Sequence, residues 1–253
     1  MNDLLNLREK RDLFYAVNEQ GFLPHMIAET GSKAWGTNVE TSDHDLTVMA
    51  DDTFFDVYQY PRTAIAVKVP FKGELVDMRV FSIEKFLRKI LKSNLVAYEA
   101  IHTEWHHGSQ RMKNILVETM DHFYDPREMF RSARGNLGNI RAGEMKGRRQ
   151  QFRYAFICLQ LIDGLADGKK PTMNVPAYLN NQDNTFDNHY PIIQSMFTWA
   201  MTPVDDDDLA NKSDKMLRNV REYDFPDVVS FKQGTEREYM NAQFAAIKHL
   251  AAR

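Results

Sequence analysis

Asp43 and Asp45 stand two residues apart, and a third aspartate, Asp77, lies between Val76 and Met78. On an extended strand, residues two apart share a face. Two carboxylates placed that way can converge on metal ions, and a third joins them if its strand runs alongside. Carboxylate oxygens are hard donors that suit Mg²⁺ or Mn²⁺. Two such ions about 3.5–4 Å apart stabilise both the attacking and the leaving oxygen of an in-line displacement. Phosphoryl or nucleotidyl transfer from a triphosphate makes that demand. Upstream, Gly31-Ser32 follows a short apolar run and could open a helix whose N–H groups and hydroxyl meet phosphate oxygens. Each piece alone is weak. Aspartates two apart occur by chance in loops, a Gly-Ser pair after a strand is more often a turn, and Asp77 alone could be a surface strand residue. Their order and spacing together make the pattern specific.

The elements that must position these residues can be read from periodicity. Residues 2–20 set Leu4, Leu5, Leu7, Leu13, Phe14 and Val17 among charges, as an amphipathic helix does, and Gly21 and Pro24 end it. Residues 25–29 read as a buried strand that runs into Thr30-Gly31-Ser32. Residues 43–50 alternate, with Leu46 and Val48 on one face and Asp43, Asp45 and Thr47 on the other. Residues 63–69 alternate again through Ile65, Val67 and Val69, and residues 70–73 read as a turn. The next strand turns Val76, Met78 and Val80 inward and Asp77 and Arg79 outward. Ser82 is an expected N-cap for a helix with Ile83, Phe86, Leu87, Ile90 and Leu91 on one face and a Glu84–Arg88 pair on its surface. From about residue 95 the pattern turns helical, most clearly over residues 149–165, with a loop expected over residues 167–188. Strands followed by helices predict an α+β protein: a small mixed β-sheet with flanking helices, then a helical C-terminal region. The break falls near residues 108–125, giving a catalytic domain over 1–110 and a helical domain over 111–253.

Composition removes other classes. An apolar share of 43% supports a packed core, and a net charge of −3 announces no global attraction to nucleic acid. One cysteine, Cys158, forms no internal disulfide and no thiolate zinc cluster, and it reads as a core residue. The first twelve residues mix acids and bases around no apolar core, and no stretch approaches the roughly 18 apolar residues of a membrane span. A soluble, cytoplasmic protein without a membrane partner is expected.

Thr30-Gly31-Ser32-Lys33-Ala34-Trp35-Gly36, followed by Ser42-Asp43-His44-Asp45-Leu46, resembles the Gly-Ser…Asp-x-Asp signature of the DNA polymerase β nucleotidyltransferase superfamily. More narrowly, it is similar to the bacterial and phage nucleotidyltransferases that include the RNA-ligase-associated group. That likeness extends through Val76-Asp77-Met78-Arg79 and residues 86–94 to Tyr98-Glu99-Ala100-Ile101, covering residues 25–105 well and the helical remainder loosely. The resemblance implies a nucleotidyltransferase fold, Mg²⁺ or Mn²⁺, and a nucleoside triphosphate donor, with RNA ends the favoured acceptor. It places the triphosphate at Gly31 and Ser32, both metals on Asp43 and Asp45, and the acceptor-activating metal on Asp77 as well. Lys33 stands where arginine is common, keeping the charge without the planar fork. Leu95 follows Asn94 where relatives often have proline, and Ile157 falls where they commonly carry a basic residue.

Other residues admit two readings each. Lys85, Lys89 and Lys92 follow the Asp77 strand closely enough to reach a triphosphate. The basic run around Arg141, Lys146, Arg148, Arg149 and Arg153 could face a triphosphate or RNA, or be a solvated helix face. His102, His106 and His107 near Glu104 invite a zinc reading, but their spacing fits no strong ligand motif; solvated histidines at a helix end explain them better. Trp35 could stack on a base, though core packing is the better account, and residues 205–208 read as a solvated acidic loop or helix start. Two other functions share these features: a non-catalytic nucleotide- or RNA-binding module, and an enzyme that AMPylates protein hydroxyls.

Overall fold

The computed structural model describes residues 5–40, 42–51, 64–140, 145–164, 169–202, 207–226 and 236–251. The chain divides into two compact units. The first comprises Met1–Ala34, Asn38–Tyr124 and Ser230–Arg253, and the second Trp35–Thr37 and Asp125–Val229. This division differs from a break after residue 110, because α5 (Gln110–His122) packs on α4 (Leu95–His102) and α11 (Glu236–Ala251) returns to pack on α5.

The first unit is built on a five-stranded mixed sheet with strand order β3-β4-β2-β1-β5. The strands are β1 (Pro24–Thr30), β2 (Asp45–Ala50), β3 (Ile65–Phe71), β4 (Glu74–Ser82) and β5 (Trp105–His107). Only β2 and β4 run parallel; the other neighbours are antiparallel. With its flanking helices this is the α+β architecture that the alternation of periods predicts.

Alternation sorts the sheet into two faces. On one, Ile27, Leu46, Val48, Val76, Met78 and Val80 pack with Leu13 and Val17 of α1 (Leu7–Glu19). The α1 N-terminus is closed by Asn6, which exchanges hydrogen bonds with Glu9 in a capping box. Leu7 lies outside this apolar face at 88% exposure, and Leu4 lies outside the described residues. On the other face, α3 (Ile83–Ile90) and α4 cover Phe81 and β1. Ser82 caps α3 by accepting from the Lys85 N–H at 3.2 Å, and Glu84 pairs with Arg88 at 2.6 Å.

Two local expectations are corrected. The turn between β3 and β4 is confined to Lys72 and Gly73, at φ 53° and 82°, the paired positive values of a tight type I′ hairpin. Pro70 belongs to β3, where it is tolerated because β3 is the edge strand and needs fewer N–H donors. Residues 105–107, read as the end of a helix, form β5 against β1. Three residues are too few for a period to register.

The second unit is helical, from α6 (Pro126–Gly138) and α7 (Met145–Asp163) through α8 (Val175–Asn180), α9 (Tyr190–Met201) and α10 (Asp207–Glu222). The expected loop over 167–188 contains α8 and a 3₁₀ turn over Gln182–Phe186, started by the capping side chains of Asn174 and Asn181. Phe152, Phe156 and Tyr178 pack their rings together at 5.1–5.8 Å, and Cys158 of α7 is fully buried, its thiol pKa raised by that burial. The basic run is mixed, with Lys146 exposed and Arg149 partly exposed. Arg153 is buried at 9% exposure and Arg148 lies over the Trp199 ring at 5.6 Å, while Arg141 falls outside the described residues. Asp205 and Asp206 also lie outside them; Asp208 pairs with Lys212 at 2.6 Å within α10.

His189, before α9, holds Asp163 at the end of α7 with its Nδ1 2.6 Å from the carboxylate. That hydrogen bond raises the His189 pKa above its ordinary value against the opposing effect of burial. A raised histidine contributes stability in full below its unfolded pKa, and the contribution disappears as pH rises through the folded value. Asp163→Asn is therefore expected to destabilise the protein by about 1 kcal/mol at pH 5.5 and by less at pH 8. Urea unfolding at the two pH values reads the difference; an equal loss at both would show that His189 is not the titrating partner.

Candidate functional site

The register of the two parallel strands puts Asp45 directly beside Asp77. Register partners on parallel strands point to the same face and sit about 4.8 Å apart between strands. Thr30 of β1 is the partner of Asp45 on its other side, and its hydroxyl donates to the Asp45 carbonyl at 3.0 Å. Asp45 is partly exposed at the very start of β2, and Asp43 lies two residues ahead of it, also partly exposed. Asp77 is half exposed and pairs at 3.5 Å with Lys68, its cross-strand partner on β3. The oxygens of Asp43, Asp45 and Asp77 do not all lie within 4.8 Å of one another. Like carboxylates repel, and Asp77 is held by the lysine beside it.

Gly31 opens the short helix α2 (Gly31–Trp35) directly against Asp45. A Cβ on Gly31 would lie 2.0 Å from an Asp45 carboxylate oxygen and 2.7 Å from its Cβ, and the residue holds φ +72°. Only glycine allows the turn and the carboxylate to come so close. Ser32 and Lys33 follow in the first turn of α2, both partly exposed. Trp35 is 1% exposed, as core packing requires and base stacking would not. The Gly31 N–H donates to Glu99 of α4 at 2.7 Å. Sequence reading assigned Glu99 no role, because nothing in a helical Tyr-Glu-Ala shows which loop the carboxylate will reach.

Positive charge gathers on the same face. Arg79 follows Asp77 by two residues on β4, and Lys89 lies over Phe81 at 5.2 Å while donating to Asn94 at 3.4 Å. Burial lowers the Lys89 pKa first, and the like charges of Lys85, Arg79 and Lys92 lower it further. The sheet thus carries Asp45 and Asp77 side by side, with Lys85, Arg79 and Lys92 crowding Lys89 with like charge.

The opposite face of the same strand ends carries a second group. His44, between Asp43 and Asp45, points the other way, and its Nδ1 lies 2.8 Å from Glu29 Oε2. His106 of β5 reaches the same oxygen with Nε2 at 2.7 Å. Burial would raise the Glu29 pKa, but the two histidine contacts outweigh it and hold the carboxyl below its ordinary value. His102 and His107 take no part: His102 lies at a tilt against Tyr98, and His107 lies against Phe14. Spacing along the chain could not reveal Glu29, His44 and His106 as neighbours, because the pairing of β1 with β2 and β5 brings them together.

No family model matches this chain, and no curated protein matches it. Among solved structures it is similar to a nucleotidyltransferase-like protein from Exiguobacterium sibiricum 255-15, with 11% identity and a TM-score of 0.34 over 97% of this chain and 74% of that one. Among the described residues, no helix is long and apolar enough to cross a membrane.

Proposed function

We propose that the Asp45–Asp77 face is the active site of a metal-dependent nucleotidyltransferase, which moves a nucleoside monophosphate from a nucleoside triphosphate to an acceptor. The observation that carries this reading is the β2–β4 register, which sets Asp45 and Asp77 side by side next to the Gly31 turn. The donor set fits Mg²⁺ or Mn²⁺: hard oxygens only, from accessible side chains that attract a cation, as Asp77 does with Lys68. Asp43, Asp45 and Asp77 would hold the ions, which when bound supply charge stabilisation at the attacking and leaving oxygens.

The chain's own groups supply the rest. Gly31 and Ser32 offer an N–H and a hydroxyl to triphosphate oxygens, and an incoming phosphate would take the N–H that Glu99 now accepts. Lys33, Lys85 and Lys89 bring positive charge to the phosphates, and an anion relieves the mutual repulsion around Lys89. An acceptor hydroxyl forms its bond to the α-phosphorus as the bond to pyrophosphate breaks, and its proton passes to a carboxylate oxygen of Asp77. RNA ends are the acceptor we favour, on the sequence resemblance. A protein hydroxyl or a small molecule would instead gain the nucleotide mass.

The test is pyrophosphate release from each nucleoside triphosphate, with Mg²⁺ or Mn²⁺ and with RNA, protein and small-molecule acceptors. Activity that needs the divalent ion and is lost in Asp43→Asn is the expected result. Nucleotide binding that is indifferent to metal, with no transfer, would mark a binding module instead.

A further inference from the structure

His44 stands between Asp43 and Asp45 just ahead of β2, and its ring meets Glu29 from β1 and His106 from β5. We propose that Glu29, His44 and His106 bind a zinc-type transition-metal ion, distinct from the Mg²⁺ or Mn²⁺ ions of the carboxylate face.

One ligand atom from each residue lies within 4.8 Å of the other two, and among the described residues no other three histidine, cysteine or acidic side chains meet this spacing. The donors are two imidazole nitrogens and one carboxylate oxygen, a set that suits zinc, with water in the fourth position. Both imidazoles now crowd one oxygen, at 2.7 and 2.8 Å. Donors about 2.0–2.1 Å from a tetrahedral ion sit about 3.3 Å apart, so side-chain shifts of roughly half an ångström would open the site.

Two features point to a ligand beyond a hydrogen-bonded trio. Glu29 is 6% exposed, yet its second oxygen, Oε1, has no hydrogen-bond partner. A buried carboxylate normally uses both oxygens, and a bare one is costly. His106, at 7% exposure, turns Nε2 towards the cluster, while its Nδ1 lacks a hydrogen bond and lies 3.9 Å from Glu104 Oε1. Metal-bound histidines commonly turn their distal nitrogen towards a carboxylate, which fixes the ring and strengthens the ligand.

The backbone already holds the ligands in place. Thr103 donates to the Glu29 carbonyl at 2.6 Å, and the Glu29 N–H donates to the Glu104 carbonyl at 2.9 Å. Phe71 meets the His44 ring edge-on at 6.3 Å, and apolar walls strengthen metal coordination. An ion there would tie together β1, β2 and β5 at the ends that carry the Gly31 turn and Asp45. The chemistry differs from that of the opposite face, where only hard oxygens are offered, so the two sites would select different metals.

The experiment uses the untagged full chain, stripped with chelator and titrated with Zn²⁺ against a chromophoric competitor, with Co²⁺ as a spectroscopic probe. One equivalent of zinc is expected. Cobalt should give the strong visible absorption of a low-coordinate nitrogen–oxygen site, displaced by zinc and not by magnesium. His44→Ala and Glu29→Gln should each weaken zinc at least tenfold, whereas the Asp45→Asn, Asp77→Asn double variant should bind it unchanged. That control separates this site from the nucleotidyltransferase reading, which can fail without it. Absence of zinc binding to the native chain, weak octahedral cobalt absorption, or zinc lost with the aspartates and kept without His44 would each overturn the proposal. The native cobalt spectrum needs no variant, so a misfolded mutant cannot hide the answer.

Discussion

Asp45→Asn is expected to reduce nucleotidyl transfer at least about 10³-fold in kcat, about 4 kcal/mol of lost transition-state stabilisation. Asparagine keeps the shape of the side chain and one oxygen, but it removes the negative charge that would hold the divalent ions. The change should leave folding intact. Asp45 is partly exposed, and its main-chain carbonyl, which the substitution keeps, accepts the Thr30 hydroxyl. Removing one of two neighbouring carboxylates also relieves repulsion, so the unfolding midpoint should not fall. Asp77→Asn should behave similarly, with the loss concentrated where acceptor deprotonation limits the rate; a pH–rate profile would show it. Transfer rates for the two variants, measured beside their melting curves, decide the matter. Native activity in Asp45→Asn would refute the assignment of this face.

Gly31→Ala should damage both activity and stability, for reasons that can be separated. The new methyl group would lie 2.0 Å from the Asp45 carboxylate oxygen and 2.7 Å from the Asp45 Cβ. Rotating Asp45 away relieves the first contact but not the second, so strand or turn must shift. Displacements of about 1 Å in a reacting geometry can cost about 10² in rate. In addition, φ +72° costs a non-glycine residue about 1–2 kcal/mol. Gly73→Ala provides the control, because Gly73 holds φ +82° with nothing within 4 Å of an added Cβ. The control should lose about 1 kcal/mol of stability and keep its activity. Gly31→Ala should lose more stability and about 10² or more in kcat. Equal effects of the two substitutions would mean that the approach of Gly31 to Asp45 has no functional consequence.

Much of the Asp45–Asp77 face was legible because it rests on local rules. Period-two alternation over residues 43–50 and 75–80 sets which residues share a side, so Asp45 with Thr47, and Asp77 with Arg79, followed from the pattern alone. Ser82, Glu84 and Arg88 were legible for the same reason, since a cap and an i,i+4 pair need only a few consecutive residues. The extent of β3 was misjudged because Pro70 reads as a breaker, and only the position of β3 at the sheet edge makes it acceptable. Residues 105–107 carry too short a pattern to declare a strand, and that obscured His106.

By itself, the order of residues determined the α+β class and the strand faces of Asp45 and Asp77. Both follow from periodic constraints within a few residues. Only the tertiary structure decided that β2 and β4 are parallel neighbours in a register that aligns Asp45 with Asp77. It alone brought Glu99 to the Gly31 N–H, 68 residues away, and gathered Glu29 of β1, His106 of β5 and His44 ahead of β2. Such contacts depend on which strand pairs with which, a choice made by burial of the whole sheet and carried by no local stretch of chain.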